Sequence, residues 1–142
     1  MTIVAGVPNS AKIEFLVGTH TAADTYNIAL YVAAAGLHPT SSAVYSATNE
    51  VANGGGYTTG GKALTGYTSA SMGPPDNLAY VTFANPSWTA ASFTARGAVI
   101  YNSSKANRIV GILDFGSDYT ATNGTFTVTL PAAGNTAIVR IT

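Results

Sequence analysis

The sequence contains no cysteine. Disulfides, thiolate metal sites and cysteine nucleophiles are therefore excluded together, and stability must come from packing, backbone pairing or association. Charge is almost as scarce. Asp, Glu, Lys and Arg make up 8% of the residues, against about 25% in ordinary soluble domains. Six basic and six acidic side chains cancel to a formal net charge of zero. They are scattered singly, so there is no basic stripe for phosphates, and no nucleic-acid partner is expected. A near-neutral chain is not kept apart from its own copies by repulsion. No apolar run approaches the roughly 18 residues of a membrane helix, and no membrane partner is expected. The opening stretch "MTIVAGVPNSAKIEF" has no charged n-region, long apolar core or cleavage site of a signal peptide.

What is present is 142 residues, 46% of them hydrophobic. That suits one domain with one core. A folded monomer of this size exposes on the order of 6,800 Å². Twelve charges cover such a surface thinly, and Thr, Ser, Asn, Gly, Ala and aromatic groups must supply the rest. Two readings fit: a Thr-rich β-protein, or a protein whose surface is largely covered by neighbours in an assembly.

The pattern is strand-like almost throughout. "TYNIALYVA" (25–33) alternates, with Ile28, Leu30 and Val32 on one face and Ala29 and Tyr31 on the other. "NLAYVTFAN" (77–85) sets Leu78 and Tyr80 opposite Val81 and Phe83. "RGAVIYN" (96–102) is apolar on both faces, as a central buried strand would be. "RIVGILDFG" (108–116) puts Ile109, Leu113 and Phe115 on one side with Gly111 between them. "GTFTVTLP" (124–131) turns Phe126, Val128 and Leu130 inward and Thr127 and Thr129 outward, and "AIVRIT" (137–142) is a closing strand. Gly73-Pro74-Pro75-Asp76 is a turn, Asn123-Gly124 reads as a hairpin turn, and 102–107 is a polar loop. "SAKIEFLV" (10–17) reads as a short strand or one or two helical turns, and 39–51 as irregular. Many short strands with regular turns predict an all-β fold, a single-domain antiparallel β-sandwich, jelly-roll-like, with little helix.

Gly56 to Lys62 reads G-Y-T-T-G-G-K, most of a nucleotide-binding P-loop. A working P-loop follows a buried strand and opens a helix. Here "NEVANGG" precedes it, strand-like "ALTGYTSASMG" follows, and Ala63 stands where a Mg²⁺-ligating hydroxyl belongs. The expectation is a Gly-rich loop entering a strand, with no nucleotide or other cofactor. Asp114-Phe115-Gly116 spells a kinase motif without its companions and is expected to be a strand end running into a turn. Asp114 and Asp118 are expected to bond backbone N–H groups rather than Ca²⁺.

His20 and His38 fit no metal or nucleophile spacing and are expected in loops. No carboxylates are spaced for glycosidic acid–base work, though Glu14, Asp24 and Glu50 could converge in three dimensions. No catalytic or metal-binding residue is assigned, and an enzyme is not expected. Asn102-Ser-Ser and Asn123-Gly-Thr match the glycosylation sequon. Trp88 and eight tyrosines fill core edges with wet polar tips or, if exposed, stack on sugars or anchor an interface.

Three stretches taken together, "GYTTGGKALTG", "SWTAASFTARGAVIYN" and "ILDFGSDYTATNGTFTVTLPAAG", resemble a group of small virion structural proteins of tailed bacteriophages. The similarity runs from about Lys12 to the C-terminus. It implies a capsid decoration, or cement, protein of β-sandwich or jelly-roll type. Such a protein is made in the bacterial host cytoplasm and sits on the outer capsid surface of the virion. Its partners would be the major capsid protein and itself, as a homodimer or homotrimer. The implied mechanism is binding without chemistry. Residues 1–12 would form an N-terminal arm and 13–142 the sandwich, with the arm and the Gly-rich loop (54–61) ordering on the lattice. Tyr57, Lys62, Trp88, Phe93 and Arg96 are the expected structural or interface anchors, Arg96 through a fixed carboxylate or carbonyl contact. The alternative within the resemblance is a tail, fibre or baseplate module touching host glycans. A free carbohydrate-binding domain that uses the tyrosines is a third class.

Overall fold

A computed structural model describes residues 2–141. One short helix, α1 (Asn9–Leu16), precedes seven strands: β1 (Tyr26–Tyr31), β2 (Lys62–Ala63), β3 (Thr68–Met72), β4 (Leu78–Thr82), β5 (Ser87–Asn102), β6 (Arg108–Thr127) and β7 (Val139–Ile141). They form two antiparallel sheets, ordered β2-β1-β5-β6 and β3-β4-β7. The fold is all-β and sandwich-like, as expected. Seven strands are formed among the described residues, not the eight of a full jelly roll.

The four-stranded sheet is apolar on both faces because both are covered. On one face Ile28, Leu30, Ala98, Ile100 and Val110 meet Val81, Phe83, Val128, Leu130, Ile138 and Val139. On the other, Ala29, Tyr31, Val99, Tyr101, Ile109 and Ile112 lie under Ile3, Ala35, Leu37 and Tyr45. The molecule therefore has three layers, the third being loop and N-terminal chain. β1 is sealed on its outer side by residues 49–51: Val51 N–H bonds Leu30 O at 2.9 Å and Val32 N–H bonds Asn49 O at 3.1 Å.

The expected parity of 108–116 fails at one point. Ile100 faces Gly111 but Tyr101 faces Ile109, so Val110 is an extra residue in the ladder. A bulge of this kind reverses side-chain alternation beyond it. Ile109 thus joins Ile112 on the outer face, while Val110 and Leu113 pack on the other. A Cβ on Gly111 would stand 2.8 Å from Ile138 Cδ1, so the glycine lets that isoleucine close over the bulge without moving aside.

Two expected chain reversals are bulges instead. Asp114-Phe115-Gly116 does not end a strand. Ala95 pairs Tyr119 and Gly97 pairs Asp114, so residues 115–118 loop out and the ladder resumes. Asn123-Gly124 makes no hairpin either. Asn123 (φ 47°) and Ala90 (φ 50°) each take the left-handed conformation on opposite strands. Trp88 pairs Phe126, Ala91 pairs Gly124 and Phe93 pairs Ala121, so the two extra residues compensate and the register is restored. The run 124–130 keeps its predicted alternation, with Phe126, Val128 and Leu130 all buried.

The expected N-terminal arm is part of the body. Gly6 exchanges both backbone bonds with Ile112 at 2.9 Å, and Val4 N–H bonds Leu37 O at 2.8 Å. Ile3 is buried. A boundary at residue 12 falls inside α1. The physical reason is the open edge of β6 and the apolar outer face, both of which this segment covers. No helix among the described residues is long and apolar enough to cross a membrane.

Candidate functional site

The Gly-rich loop is tied to the body of the fold through Tyr57 and Gly60. The Glu50 carboxylate accepts the Tyr57 hydroxyl at 2.5 Å and Gly60 N–H at 2.7 Å through Oε1, and the Tyr45 hydroxyl at 2.6 Å through Oε2. Tyr57 in turn accepts Leu30 N–H at 2.9 Å, and Tyr101 donates to Gly60 O at 2.7 Å. Glycine is required because the loop touches backbone. A Cβ on Gly61 would lie 1.7 Å from Ile28 O and one on Gly55 2.4 Å from Ser92 O. Gly55 O accepts Ser92 N–H at 2.8 Å, so the loop occupies the stretch of β5 beyond the end of β1. Tyr57 points inward while Gly54, Gly55, Gly56, Thr58 and Thr59 are exposed, and a two-residue strand follows the loop rather than a helix. The expectation that it orders only on a lattice is corrected: it is ordered within the single chain.

Four of the five anchor residues come together here. Tyr57 and Trp88 are 2% and 4% exposed, which corrects any role for them as surface contacts. The Phe93 ring lies 5.6 Å from that of Tyr57 and 5.0 Å from that of Phe126. Lys62 Nζ sits 5.2 Å over the Trp88 ring and donates to Ser87 O. The four side chains form one cluster within the chain. Arg96 stands apart, its Nε bonding Asp114 Oδ1 at 3.1 Å, the expected carboxylate contact. Asp114 also accepts Gly116 N–H at 2.9 Å. That backbone bond, then Arg96, hold its carboxyl below the usual carboxylate range despite partial desolvation.

A second network was not legible in the sequence. His20 is buried. Its Nε2 meets Glu14 Oε2 at 2.7 Å, and its Nδ1 meets the Asn102 amide at 3.0 Å. An accepting Nδ1 assigns the proton to Nε2, which donates to Glu14. Glu14 also takes Arg108 Nε at 2.7 Å. Asn102 donates to Asp24 Oδ2 at 2.9 Å, and Lys105 Nζ lies 3.8 Å from Asp24 Oδ1. Burial opposes ionisation of Asp24, but the bonds from Asn102 and Thr21 and the charge of Lys105 hold its carboxyl below the usual range. Glu14 and Asp24 are linked only through His20 and Asn102, whereas Glu50 binds the tyrosines. Asn102 is fully buried, which closes the first sequon. No group of three or more His, Asp or Glu among the described residues is placed to hold a metal ion.

The surface feature that remains is apolar. On α1, Ala11 is buried and Phe15 packs against the core, four residues apart as a helix face requires. Ile13, Leu16 and Val17 point the other way, 64%, 72% and 72% exposed. The helix is thus apolar on both sides, which a helix facing water normally is not. Leu16 and Phe15 line a hollow of about 200 Å³ with Val7, Val139 and Ile141, and with the charged Lys12 and Arg140. Phe15 also borders a shallow groove of about 400 Å³ along β3, β4 and β7. A third hollow, of about 450 Å³, lies between the 115–118 bulge and 127–131, lined by Phe115, Tyr119 and Phe126. Tyr119 is 53% exposed there. Compared with known protein families, with characterised proteins and with solved structures, the chain gives no match.

Proposed function

We propose that this chain is a non-enzymatic structural protein of a tailed-bacteriophage virion, a decoration protein that binds the outer surface of the major capsid protein lattice and stabilises the head. The observation that carries the reading is the outward face of α1. Leu16, beside the exposed Ile13 and Val17, lines the hollow that reaches Ile141, itself half exposed, with Lys12 and Arg140 also in its wall. Contiguous apolar surface of this kind marks a contact with another macromolecule. The charges support the same reading, because most are consumed inside the chain: Arg108 with Glu14, Arg96 with Asp114, Lys105 with Asp24, and Glu50 with two tyrosines. The chain is sparsely charged, and a surface that is covered in its working state needs little charge. The rigid three-layer body would act as a staple, with α1 against capsid subunits.

The test is cryo-electron microscopy of purified virions, with mass spectrometry to identify the chain. Density for this sandwich repeating over the icosahedral shell, with α1 against the lattice, is the expected result. The chain found only at the tail in few copies would overturn the head assignment. One observation favours that second reading, a tail or adhesion module. The hollow beside Tyr119 and Phe115 offers aromatic faces of the kind that stack on sugars. Specific binding of the isolated chain to a glycan array, lost in Tyr119→Ala, would support it.

A further inference from the structure

Among the described residues, each sheet edge but one is guarded. β2 is only two residues long. β6 is covered by Gly6 and by Ala43 and Tyr45, which bond Ile112, Ile109 and Asn107, and its remainder is broken by the bulges. β7 is three residues long, carries Arg140 and borders Phe15 and Leu16. β3 has none of these protections. All five of its residues, T-S-A-S-M, are exposed. It pairs β4 without a register shift, Thr68 with Thr82 through to Met72 with Leu78. From Ala63 to Pro75 the sequence has no charged side chain. Natural edges are normally blunted by charge, proline, a bulge or a covering segment.

We propose that β3 is a self-association edge, and that two copies of the chain pair β3 to β3 antiparallel about a two-fold axis at Ala70, making one six-stranded sheet. Symmetry selects the register. A two-fold perpendicular to the sheet pairs a residue with its own copy at the centre. Only centring on Ala70 pairs all five residues of β3. The resulting pairs are Thr68 with Met72, Ser69 with Ser71, and Ala70 with Ala70. All are small or uncharged, so no like charges meet. The chain's zero net charge leaves no long-range repulsion to oppose the approach. An extended segment of another protein could meet the same backbone groups, but self-complementarity of the five pairs favours a second copy. The inference stands independently of the virion reading.

The absence of native cysteine makes one engineered thiol per chain a clean reporter. Residues directly opposite across antiparallel strands have Cα atoms about 4.5–5.5 Å apart, within disulfide range. Ser69 and its own copy would be diagonal neighbours at about 7–8 Å, outside it. The full chain carrying Ala70→Cys should become a disulfide-linked dimer under mild oxidation. Ser69→Cys alone should cross-link at least tenfold less, and Ser69→Cys mixed with Ser71→Cys should cross-link well. By sedimentation, the unmodified chain should show twice the 14.4 kDa mass, and Ala70→Lys should return it to one chain with unchanged circular dichroism. If Ala70→Lys fails to fold, the cysteine series still decides. A monomer at all attainable concentrations, or equal cross-linking from positions 69 and 70, overturns the proposal.

Discussion

Tyr57 and Glu50 share a 2.5 Å hydrogen bond, and through it the Gly-rich loop is fastened to the edge of β1. The same hydroxyl accepts Leu30 N–H, so its removal leaves that buried donor unpaired and takes one of the two bonds to Glu50 Oε1. An unsatisfied buried polar group costs about 1–3 kcal/mol. Tyr57→Phe should therefore destabilise by about 2–3 kcal/mol at nearly unchanged volume. Urea denaturation measures this directly. An unchanged midpoint would mean that the loop is not held through that oxygen.

Alkaline pH should attack the same place. Burial first, then the neighbouring Glu50 carboxylate, push the phenols of Tyr57, Tyr45 and Tyr31 well above the usual tyrosine value, and burial does so for Tyr26. A folded pKa above the unfolded one gives stabilisation that is whole below about pH 10 and is lost as pH rises past it. The fold should weaken steeply above pH 10, and these phenols should ionise together with unfolding. Ultraviolet absorbance of tyrosinate followed beside circular dichroism tests this. Ionisation of all eight tyrosines in a still-folded chain would contradict it.

The acid limb runs the other way. Asp114 and Asp24 have folded values below the usual one. Their stabilisation is whole above about pH 4 and disappears as pH falls through the folded values. Asp114→Asn should flatten the acid side of a stability–pH profile. Arg96→Ala should cost at most about 1 kcal/mol, because the pair is partly solvated.

Two glycine substitutions separate a packed loop from a pliable one. Gly61→Ala drives a methyl into Ile28 O, and Gly54→Ala meets open space at a positive φ. The first should cost about 4 kcal/mol or more. The second should cost about 1–3 kcal/mol. Equal effects would contradict the packed description.

If α1 is the capsid-facing element, Leu16→Lys combined with Val17→Ser should leave stability within about 0.5 kcal/mol. It should abolish binding to capsids stripped of the protein. Retained binding, measured by co-sedimentation with the shells, would move the contact elsewhere.

The strands were legible where alternation or a two-sided apolar run is local. β1, the 96–102 part of β5 and the 124–130 run needed no distant information. The face on which Ile109 sits was not legible, because one bulged residue inverts parity and leaves no mark in the hydropathy pattern. Asn123-Gly124 carries the same left-handed preference in a hairpin or a bulge, and only the partner strand decides between them. The outward residues of α1 were hidden because polar and apolar side chains are interspersed around the helix, so no single stripe distinguishes it from a strand. His20 was hidden for another reason. Its partners Asn102 and Glu14 reach it from a distant strand end and from the helix. Tyr57 and Trp88 are buried, which residue type alone does not reveal.

The clasp between Gly6 and Ile112 has a temporal meaning. As the chain is synthesised, residues 3–8 appear long before the strand that will hold them. The β5–β6 hairpin, whose partners are neighbours in sequence, can assemble as soon as it emerges. The N-terminal segment can dock only on the finished sheet. Ile3 then closes the outer layer, so a segment made early is among the last to be placed.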